Sequence, residues 1–348
     1  MGKALGLILT IAFSFAGPAW SESESELEST PELEAETAIA ATPAATDHEL
    51  QADRFKSLDK SWLVEAVTEL PFYSFYLGAP AVRGVAYLPN FAPRLGPRLV
   101  YRDLGMTLTF SLPIPRAEMV RRGDSKQRSI IVNGYWRSFA YDVYYQSYKG
   151  FYAANPFTEL SLNKPSRYPQ MPDAQVLNYG FNFYFVFNPE SYSLKAAFDH
   201  KELQLRSGGS WMLTPFYNHL EMFLGGKFVP GSDPNAIPKL PNLASGRFDS
   251  GGVAGGYGYT YVRRSFFLSG QGAYGPGFQV QRIQRSDGHH VNATSLAAKL
   301  NVNVSGGWNY PDFVVGGKVL VDSTWARVLD TQMSSSLVSV QLFAGRRF

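Results

Sequence analysis

The chain has 348 residues and no cysteine, so disulfides, thiolate metal sites and cysteine nucleophiles are excluded. Lys and Arg number 32 against 29 Asp and Glu, and nine of those acids lie within residues 22–50, which contain no Lys or Arg. Residues 51–348 therefore hold 31 bases and 20 acids. No recognition helix or basic cluster accompanies this charge, so we expect no nucleic-acid partner and favour contact with anionic lipopolysaccharide.

The N-terminus has the pattern of an export signal. A short basic start precedes an apolar run at Ala4–Gly17, and the small residues Ala19 and Ser21 form a cleavage site. We expect residues 1–21 to be a cleaved signal peptide, since the apolar run is short for the roughly 20 residues of a membrane-spanning helix. Residues 22–53 are acidic and then rich in Ala, Thr and Pro, which predicts a disordered periplasmic segment.

The segment 54–70 has apolar residues at roughly helical spacing. They are Phe55, Leu58, Trp62, Val67 and Leu70. This spacing predicts a short amphipathic helix over residues 54–70, lying either at the mouth of the following domain or packed at its edge.

From residue 71 onward the period of the apolar residues is 2. In Leu104–Leu112, Leu177–Phe187 and Leu296–Val304, apolar residues alternate with mostly small or polar ones. These runs match the roughly 9–11 residues of a tilted membrane strand, whereas strands of a soluble sandwich are shorter, about 5–6 residues. The mean hydropathy of −0.15 fits a membrane barrel, because every second residue of its strands faces the lumen.

Eleven segments carry the alternating pattern. They are residues 81–90, 98–114, 128–148, 176–188, 192–205, 211–224, 250–263, 265–282, 294–307, 312–326 and 336–348. Single-chain bacterial barrels have even strand numbers, and the aromatic stretch Phe72–Leu77 is the best candidate for a twelfth. We predict an all-β fold, a transmembrane antiparallel up-and-down β-barrel over residues 71–348, with about 12 strands and 10 as the alternative.

The last strand, Leu337–Phe348, alternates and ends the chain on an aromatic residue. This ending looks like the closing strand of a Gram-negative outer-membrane barrel, a class in which the terminal Phe is part of the insertion signal. We therefore predict that Phe348 is an insertion signal recognised by the outer-membrane assembly machinery. An amphipathic strand of a soluble β-protein is the alternative interpretation of this strand taken alone.

Two further stretches carry a family resemblance. They are Tyr87–Asn90, ahead of a strand, and Asp142–Tyr152, with the sequence DVYYQSYKGFY. With the C-terminal Phe, they resemble an uncharacterised domain-of-unknown-function family of exported Gram-negative outer-membrane β-barrel proteins. The resemblance extends from about residue 70 to Phe348 and implies the barrel fold and export. It implies no biochemical activity.

An even number of strands places both barrel ends of the chain in the periplasm, which assigns the connections. The predicted external loops are Gly225–Arg247, Ser286–His290 and Asp330–Ser335. The predicted periplasmic turns are Arg206–Ser210, Arg263–Arg264 and Asn309–Pro311. Ala153–Asp173 would then also be periplasmic, where a connection of this length is unusual.

Strand parity places six charged residues in the lumen. They are Asp142, Lys195, Asp199, Lys299, Lys318 and Asp322. In a narrow barrel such groups either pair across the lumen and fill it or line a path for water. We favour the filled lumen, with a small selective pore as the alternative. The sequence has no phosphate loop, zinc spacing or calcium loop, so we expect no cofactor and no metal site.

The histidines raise the question of catalysis. The motifs of outer-membrane lipases resemble His-x-Ser, and none of the five histidines begins such a motif. Asp199 and His200 have the residue types of an outer-membrane protease couple, but adjacent residues of a strand point to opposite faces. The pair His289–His290 with Asp287 has the residue types of a metal site, although an exposed polar loop explains it better. A lipid- or peptide-hydrolysing barrel that uses His200 or His219 remains the alternative function.

These features predict an outer-membrane β-barrel that is a structural scaffold or small pore without catalysis. Its expected surroundings are outer-membrane lipid and lipopolysaccharide. Delivery would require a cleaved signal peptide and then the outer-membrane assembly machinery.

Overall fold

The computed structural model describes residues 54–58, 60–79, 82–154, 166–224, 243–285, 287–328 and 331–348. Fourteen strands form one antiparallel sheet that closes on itself, and two short strands pair separately. The predicted all-β, up-and-down barrel is confirmed. The predicted signal peptide, residues 1–21, and almost all of the predicted acidic segment, residues 22–53, lie outside the described residues.

Strands dominate the described chain. Their bounds are β1 Phe55–Ser57, β2 Trp62–Ala79, β3 Val82–Leu88, β4 Arg94–Tyr101, β5 Leu104–Thr107, β6 Phe110–Ser111, β7 Lys126–Tyr135, β8 Phe139–Ala153, β9 Gln170–Val186, β10 Glu202–Gln204, β11 Gly208–Phe223, β12 Leu243–Arg263, β13 Phe266–Arg285, β14 His290–Asn309, β15 Phe313–Val328 and β16 Thr331–Arg347. A short helix, α1 (Arg116–Arg122), precedes β7, and a π-helical turn, Lys195–Asp199, precedes β10. Within these ranges no helix is long and apolar enough to cross a bilayer.

The barrel closes through β2, its first long strand. β2 pairs with the last strand, β16, over sixteen residue pairs from Leu63–Arg347 to Gly78–Gln332. On its other side β2 pairs with β4 through residues 62–69. The ring then continues through β5, β7, β8, β9 and β11–β15 back to β16, which makes twelve strands. Twelve is the predicted number.

The ring is smaller at the other end of the barrel. There the end of β2 pairs with β3, and β3 pairs directly with β8 through Tyr87–Ala153 and Leu88–Tyr152. This bypasses β4, β5 and β7, so ten strands surround the lumen at this level. The alternative number of ten therefore describes one end of the same barrel.

The two ends of the barrel are named here by the position of the C-terminus. The C-terminal rim contains Phe348 and the connections at 102–103, 136–138, 187–207, 264–265 and 310–312. The far rim contains the opposite strand ends, including Ala153, Gln170, Phe223, Leu243, Arg285 and His290. The predicted periplasmic turns Arg263–Arg264 and Asn309–Pro311 thus lie at one rim, and the strand ends that flank the predicted external loops lie at the other.

Side chains alternate between the lumen and the outer surface along each long strand. In β9, Asn182 and Tyr184 are buried inside, whereas Phe185 and Phe187 are exposed on the outside. Exposed large apolar side chains occur around the whole outer wall, from Trp62 in the first long strand to Leu342 in the last. A surface of this kind suits acyl chains, because soluble proteins rarely expose such large apolar patches.

The predicted helix over residues 54–70 is wrong. Phe55–Ser57 form β1, and β2 begins at Trp62 and includes Phe72–Leu77, the predicted twelfth strand. The inward face of β2 carries Glu65 and Glu69 among apolar residues, so the sequence there lacks the simple alternation of a strand. Both acids are buried and paired in the lumen, which is why a strand tolerates them.

Residues 192–205 do not form the predicted strand. They contain the π-helical turn and β10, and β10 pairs with β1 instead of joining the barrel. Without this strand the directions of the preceding strands reverse, so β8 ends and β9 begins at the far rim. The connection Ala153–Asp173 therefore belongs to the rim where long loops are usual, and the misfit of the sequence assignment disappears.

Two other predicted strands are divided in the structure. Residues 98–114 contain the second half of β4 together with the short strands β5 and β6. Residues 128–148 contain parts of β7 and β8, joined by a turn at 136–138. Helix α1 was not predicted.

Phe348 completes the backbone pairing at the C-terminal rim. Its N–H donates to the carbonyl of Trp62 at 3.0 Å, and the Trp62 N–H donates back at 3.2 Å. The Phe348 side chain is 62% exposed, so it contributes little to packing within the chain.

Deletion of Phe348 is expected to separate folding from insertion. It removes two backbone hydrogen bonds, worth about 1 kcal/mol each, from a large barrel. We expect near-normal refolding in detergent, measured by heat-modifiable gel migration, but poor insertion in cells, measured by membrane fractionation. Phe348→Tyr, which keeps an aromatic end, is the control. Equal insertion of the deletion and the parent chain would remove Phe348 as a targeting signal.

Candidate functional site

A polar chamber lies inside the barrel between two filled ends. Its volume is about 90 Å³, and polar side chains from most of the wall strands line it. A water needs roughly 10–15 Å³ of such volume, so the chamber accommodates several waters or one small polar group. The groups that fill the two ends of the barrel determine which molecules can reach the chamber.

Apolar side chains fill the lumen on the far-rim side. Tyr73 stacks on Tyr148 with ring centroids 4.3 Å apart, and Phe75 stacks on Tyr87 at 4.7 Å. Phe151 packs edge-on against Phe75, and buried Leu, Met, Val and Ala side chains complete this group, the far cluster. The stacked rings and the apolar side chains around them fill this layer of the described chain, which favours exclusion of water.

The connection between β9 and β11 fills the opposite end. These residues, 187–207, are called the rim segment. Its π-helical turn buries Ala197 and Phe198 against residues of the barrel wall. Arg347 of the last strand donates hydrogen bonds to the carbonyl of His200 and to Asn309, and so ties the segment to the wall.

Arg98 joins the rim segment to the wall from inside the lumen. Its guanidinium lies 2.7 Å from Glu65 and 2.7 Å from Asp199. His200 Nδ1 lies 3.1 Å from the other oxygen of Glu65. All four side chains are at least nine-tenths buried. These four side chains are called the Arg98 cluster. In this cluster one guanidinium pairs with two carboxylates where the rim segment meets the chamber.

Burial affects the two rim-segment members of this cluster in opposite directions. It raises the pKa of Asp199 to about 6, against the opposing effect of the Arg98 charge. It lowers the pKa of His200, although the hydrogen bond to Glu65 opposes the shift. At neutral pH His200 is therefore neutral, and with Nδ1–H donated to the Glu65 carboxylate its Nε2 is a hydrogen-bond acceptor.

Glu69, Asp142 and Asp322 are the other acids that line the chamber, and protein groups pair with all three. Lys299 Nζ lies 2.6 Å from Asp322, whose second oxygen accepts hydrogen bonds from Asn182 and Asn301. Asp142 accepts hydrogen bonds from the hydroxyls of Tyr135 at 2.8 Å and of Tyr184 at 2.9 Å. These groups cross-link the wall strands through the lumen.

Lys318 is the cation of the chamber without such a partner. No carboxylate or hydrogen-bond acceptor of the described residues is paired with its ammonium group, which lies 5.2 Å from the ring centroid of Phe198. Three buried acceptors are likewise unpaired within the described chain: Asn133 Oδ1, Asn182 Oδ1 and His200 Nε2. One donor facing several acceptors suits water or a small hydroxylated molecule.

The six charged residues chosen by strand parity have different surroundings. Asp142, Lys318 and Asp322 line the chamber, and Lys299 pairs with Asp322. Asp199 and Lys195 lie on the rim segment and not on a strand, so parity does not apply to them. Asp199 joins the Arg98 cluster, whereas Lys195 pairs with Asp103 at the C-terminal rim and does not line the chamber.

Sequence reasoning missed Glu65, Glu69, Arg94 and Arg98. The two acids lie in the segment predicted as a helix. Arg98 begins the predicted strand 98–114, and Arg94 lies before it. One signal was available, since Glu65 and Glu69 have the same strand parity, as do Arg94 and Arg98. Two acids and two bases at matching spacing are consistent with neighbouring strands that face one lumen.

The other histidines that the structure describes, His219, His289 and His290, lie outside the chamber. On the outer face, His219 Nδ1 lies 2.7 Å from Asp249, and its ring stacks on Tyr179 at 4.5 Å. His289 and His290 are exposed at the far rim. Within the described ranges, no group of three or more His, Asp or Glu side chains is arranged to hold a metal ion.

Residues 63–348 match a family model described as "Domain of unknown function (DUF4421)". The chain belongs to this family. The match begins one residue after β2 starts and ends at Phe348, so it covers the whole barrel of this family member. No curated protein sequence matches the chain.

Solved structures similar to this family member are outer-membrane proteins at low sequence identity. The outer membrane protease OmpT from Escherichia coli has 8% identity and a TM-score of 0.40, with 84% of this chain and 98% of that chain covered. Ail, the attachment invasion locus protein of Yersinia pestis, has 7% identity and a TM-score of 0.26, covering 80% and 97%. The toluene transporter TodX of Pseudomonas putida has 10% identity and a TM-score of 0.23, covering 83% and 90%.

Replacement of Asp199 by Asn is expected to change how stability depends on pH. Asp199 binds its proton near pH 6 in the folded chain and near its ordinary pKa of 3.8 in the unfolded chain. Between these values the folded state binds more protons, so this group adds stability as the pH falls from about 7 to about 4. Unfolding in urea, followed in detergent across this range, should show the added stability in the parent and not in Asp199→Asn.

Asp103→Asn is the matched control, because Asp103 pairs with Lys195 at the partly exposed rim. It should keep the pH dependence of the parent. If Asp199→Asn also keeps it, Asp199 is not the group that takes up the proton.

Proposed function

We propose that this family member is an outer-membrane β-barrel with a plugged lumen, acting as a non-catalytic scaffold and not as an open pore. The observation that carries the proposal is the filling of the lumen at both ends, by the far cluster and by the rim segment. Between them the acids of the chamber are paired with protein groups, and Lys318 is the charged group of the chamber without such a partner among the described residues.

The outer wall supports placement in a membrane. Its exposed apolar side chains suit lipid, and the closed ladder satisfies most backbone groups of the wall without water. Basic residues on the outer face near the far rim, such as Arg282 and Arg327, suit the phosphates of lipopolysaccharide. Lipid and lipopolysaccharide are therefore the surroundings that we propose.

The proposed orientation follows from strand number. With twelve strands and both barrel ends at one rim, the C-terminal rim faces the periplasm and the far rim faces outward. Export through a signal peptide at residues 1–21, and insertion by the outer-membrane assembly machinery that recognises Phe348, complete the proposal. The short basic start and the apolar run at Ala4–Gly17 suit this route.

A filled lumen is favoured over a small pore by the way its charges are used. Glu65, Asp142 and Asp322 each accept at least two hydrogen bonds or ion pairs from protein groups. Breaking one such buried pair costs about 3–5 kcal/mol, because it leaves a charge without a partner. Thermal motion rarely supplies that energy, so the network stays in place and obstructs ions.

Planar-bilayer recording tests the plugged lumen. We expect no stable channel from the parent chain, and none from either of two variants that each open one end. The first replaces residues 189–205 by a short Gly–Ser linker, and the second is Phe75→Ala with Tyr148→Ala. The combination of both should conduct, because the two fillings act in series.

Heat-modifiable migration of each variant is the control for folding. Stable channels from the parent chain would contradict the plugged lumen and support the small pore.

The alternative function is a lipid- or peptide-hydrolysing barrel, and one observation favours it. His219 and Asp249 form a His–Asp pair on the outer face, within reach of membrane lipid. The hydroxyl of Tyr217 also donates to Asp249, at 2.8 Å. No serine hydroxyl of the described residues forms a hydrogen bond with His219 or His200, so a nucleophile for acyl transfer would have to come from water.

An assay with phospholipid and peptide substrates separates the two functions. We expect no turnover by the purified parent chain. Turnover that is lost in His219→Ala and Asp249→Asn, but kept in His290→Ala at the far rim, would contradict the scaffold and establish the alternative.

A further inference from the structure

The barrel wall contains a gap in its backbone ladder. β5 and β7 pair through four residue pairs, from Leu104–Gly134 to Thr107–Ile131. Beyond them, residues 108–112 and residues 126–130 face one another without a ladder pair. No backbone hydrogen bond of the described chain joins these two stretches. The gap between them is here called the wall seam.

The cause of the seam is local. The N–H of Leu108 donates to Pro97, and the N–H of Leu112 donates to Pro93, so residues 108–112 follow β4 and turn away from β7. At the closest point the oxygen of Leu108 approaches Gly96, where a side chain would clash. Residues 108–112 and residues 126–130 are the two banks of the seam. On the second bank, β7 keeps its pairing with β8 along its full length.

The seam requires an occupant if this wall lies in hydrocarbon. An unpaired backbone group in lipid costs several kcal/mol, and the seam leaves a row of them on each bank. Water from the chamber, or polar groups of a bound molecule, would satisfy these groups. An acyl chain alone would not.

The outer lips of the seam are apolar. Leu108 and Phe110 point outward on one bank and are 40% and 72% exposed, and Ile130 points outward on the other bank and is 50% exposed. The adjoining ladder pair Met106–Val132 extends this apolar surface toward the C-terminal rim, at 42% and 36% exposed. These side chains suit an acyl chain lying along the seam toward the C-terminal rim.

Three cations lie at the far-rim end of the same seam. Lys126 and Arg128 are on the unpaired bank, and Lys149 lies directly opposite Lys126 on the neighbouring strand. All three are exposed, and none forms an ion pair with a described residue. Two lysines opposite each other on one face repel, so their cross-strand arrangement favours an anion bound between them.

The chamber lies directly behind the seam. Thr109 from one bank and Ser129 from the other line it, as does the adjoining ladder pair Thr107–Ile131. The side-chain amide of Gln127, at the same bank, has no hydrogen-bond partner in the described chain. The seam therefore presents apolar lips outside, cations at one end and hydroxyl and amide groups inside.

We propose that the wall seam binds one phosphate-bearing lipid of the surrounding membrane, entering sideways. The phosphate lies against Lys126, Arg128 and Lys149, and an acyl chain lies along the apolar lips. Oxygens and hydroxyls of the head group pair with the free backbone edges and with the inward side chains of the seam. The proposal rests on membrane placement of the barrel, but it does not require a pore or catalysis.

Binding of phosphatidylglycerol, measured by native mass spectrometry of the full chain released from nanodiscs, tests the cations. The parent should retain phosphatidylglycerol and not phosphatidylcholine. The triple variant Lys126→Gln, Arg128→Gln and Lys149→Gln should bind it on the order of 100-fold more weakly, since each surface cation contributes about one kcal/mol to such attraction.

The matched control removes three exposed cations at the C-terminal rim: Arg102→Gln, Arg263→Gln and Arg264→Gln. It should bind as the parent does. Equal loss in both triple variants would show attraction to net charge only, and would overturn a site at the seam. Displacement of the lipid by inorganic phosphate alone would mean a site for a free anion, and would also overturn the proposal.

A photo-crosslinking residue tests sideways entry and does not depend on the charge variants. Benzoyl-phenylalanine at the inward position Ser129 should form adducts with lipid in nanodiscs. The same residue at Ser295, which also points into the lumen but lies on β14, should not. Adducts at both positions, or at neither, would overturn entry through the seam. Bilayer recordings of the parent are unaffected by either result, so failure of this proposal is distinct from failure of the plugged lumen.

Discussion

The constraint on which the structure depends is complete pairing of backbone groups in a wall that faces lipid. β2 meets it by pairing on both of its edges, with β16 along its full length and with β4 and then β3 on the other side. The exchange of β4 for β3 reduces the ring from twelve strands to ten. The wall is continuous at the level of twelve strands and at the level of ten. The hairpins that end between these two levels leave strand edges whose backbone groups must be satisfied by other means.

The interior follows from the narrowness of this ring. Charged groups in a small lumen cannot keep their hydration, so each acid of the chamber is held by protein donors. Arg98 shows how this couples distant parts of the chain, because it links Glu65 of the first long strand to Asp199, which enters from the rim segment. Closure of the barrel and docking of the rim segment therefore stabilise one another through a single guanidinium.

The sequence predicted the outward faces of the strands, which lipid requires to be apolar. It missed the charge pairing that burial in the lumen requires. Outward faces such as Leu177–Phe187 must be apolar at every second position, and that pattern is visible without a structure. Inward faces need not be apolar at every second position. A buried acid such as Glu65 is tolerated there because Arg98 lies opposite, and a pair between residues far apart in sequence leaves no local pattern. Residues 192–205 were assigned to a strand for the same reason, because burial inside the barrel makes a π-helical turn as apolar as a wall strand.

The positions of the two lumen fillings and of the wall seam point to a route through the wall. Along the axis, the far cluster and the rim segment separate the chamber from both rims. Across the wall, the seam is a place in the described ladder where neighbouring strands do not pair, and both of its banks reach the chamber. On the functions proposed above, a barrel filled along its axis and interrupted in its side would exchange molecules with the membrane more readily than with water. Its ligands are therefore to be sought among lipids before solutes.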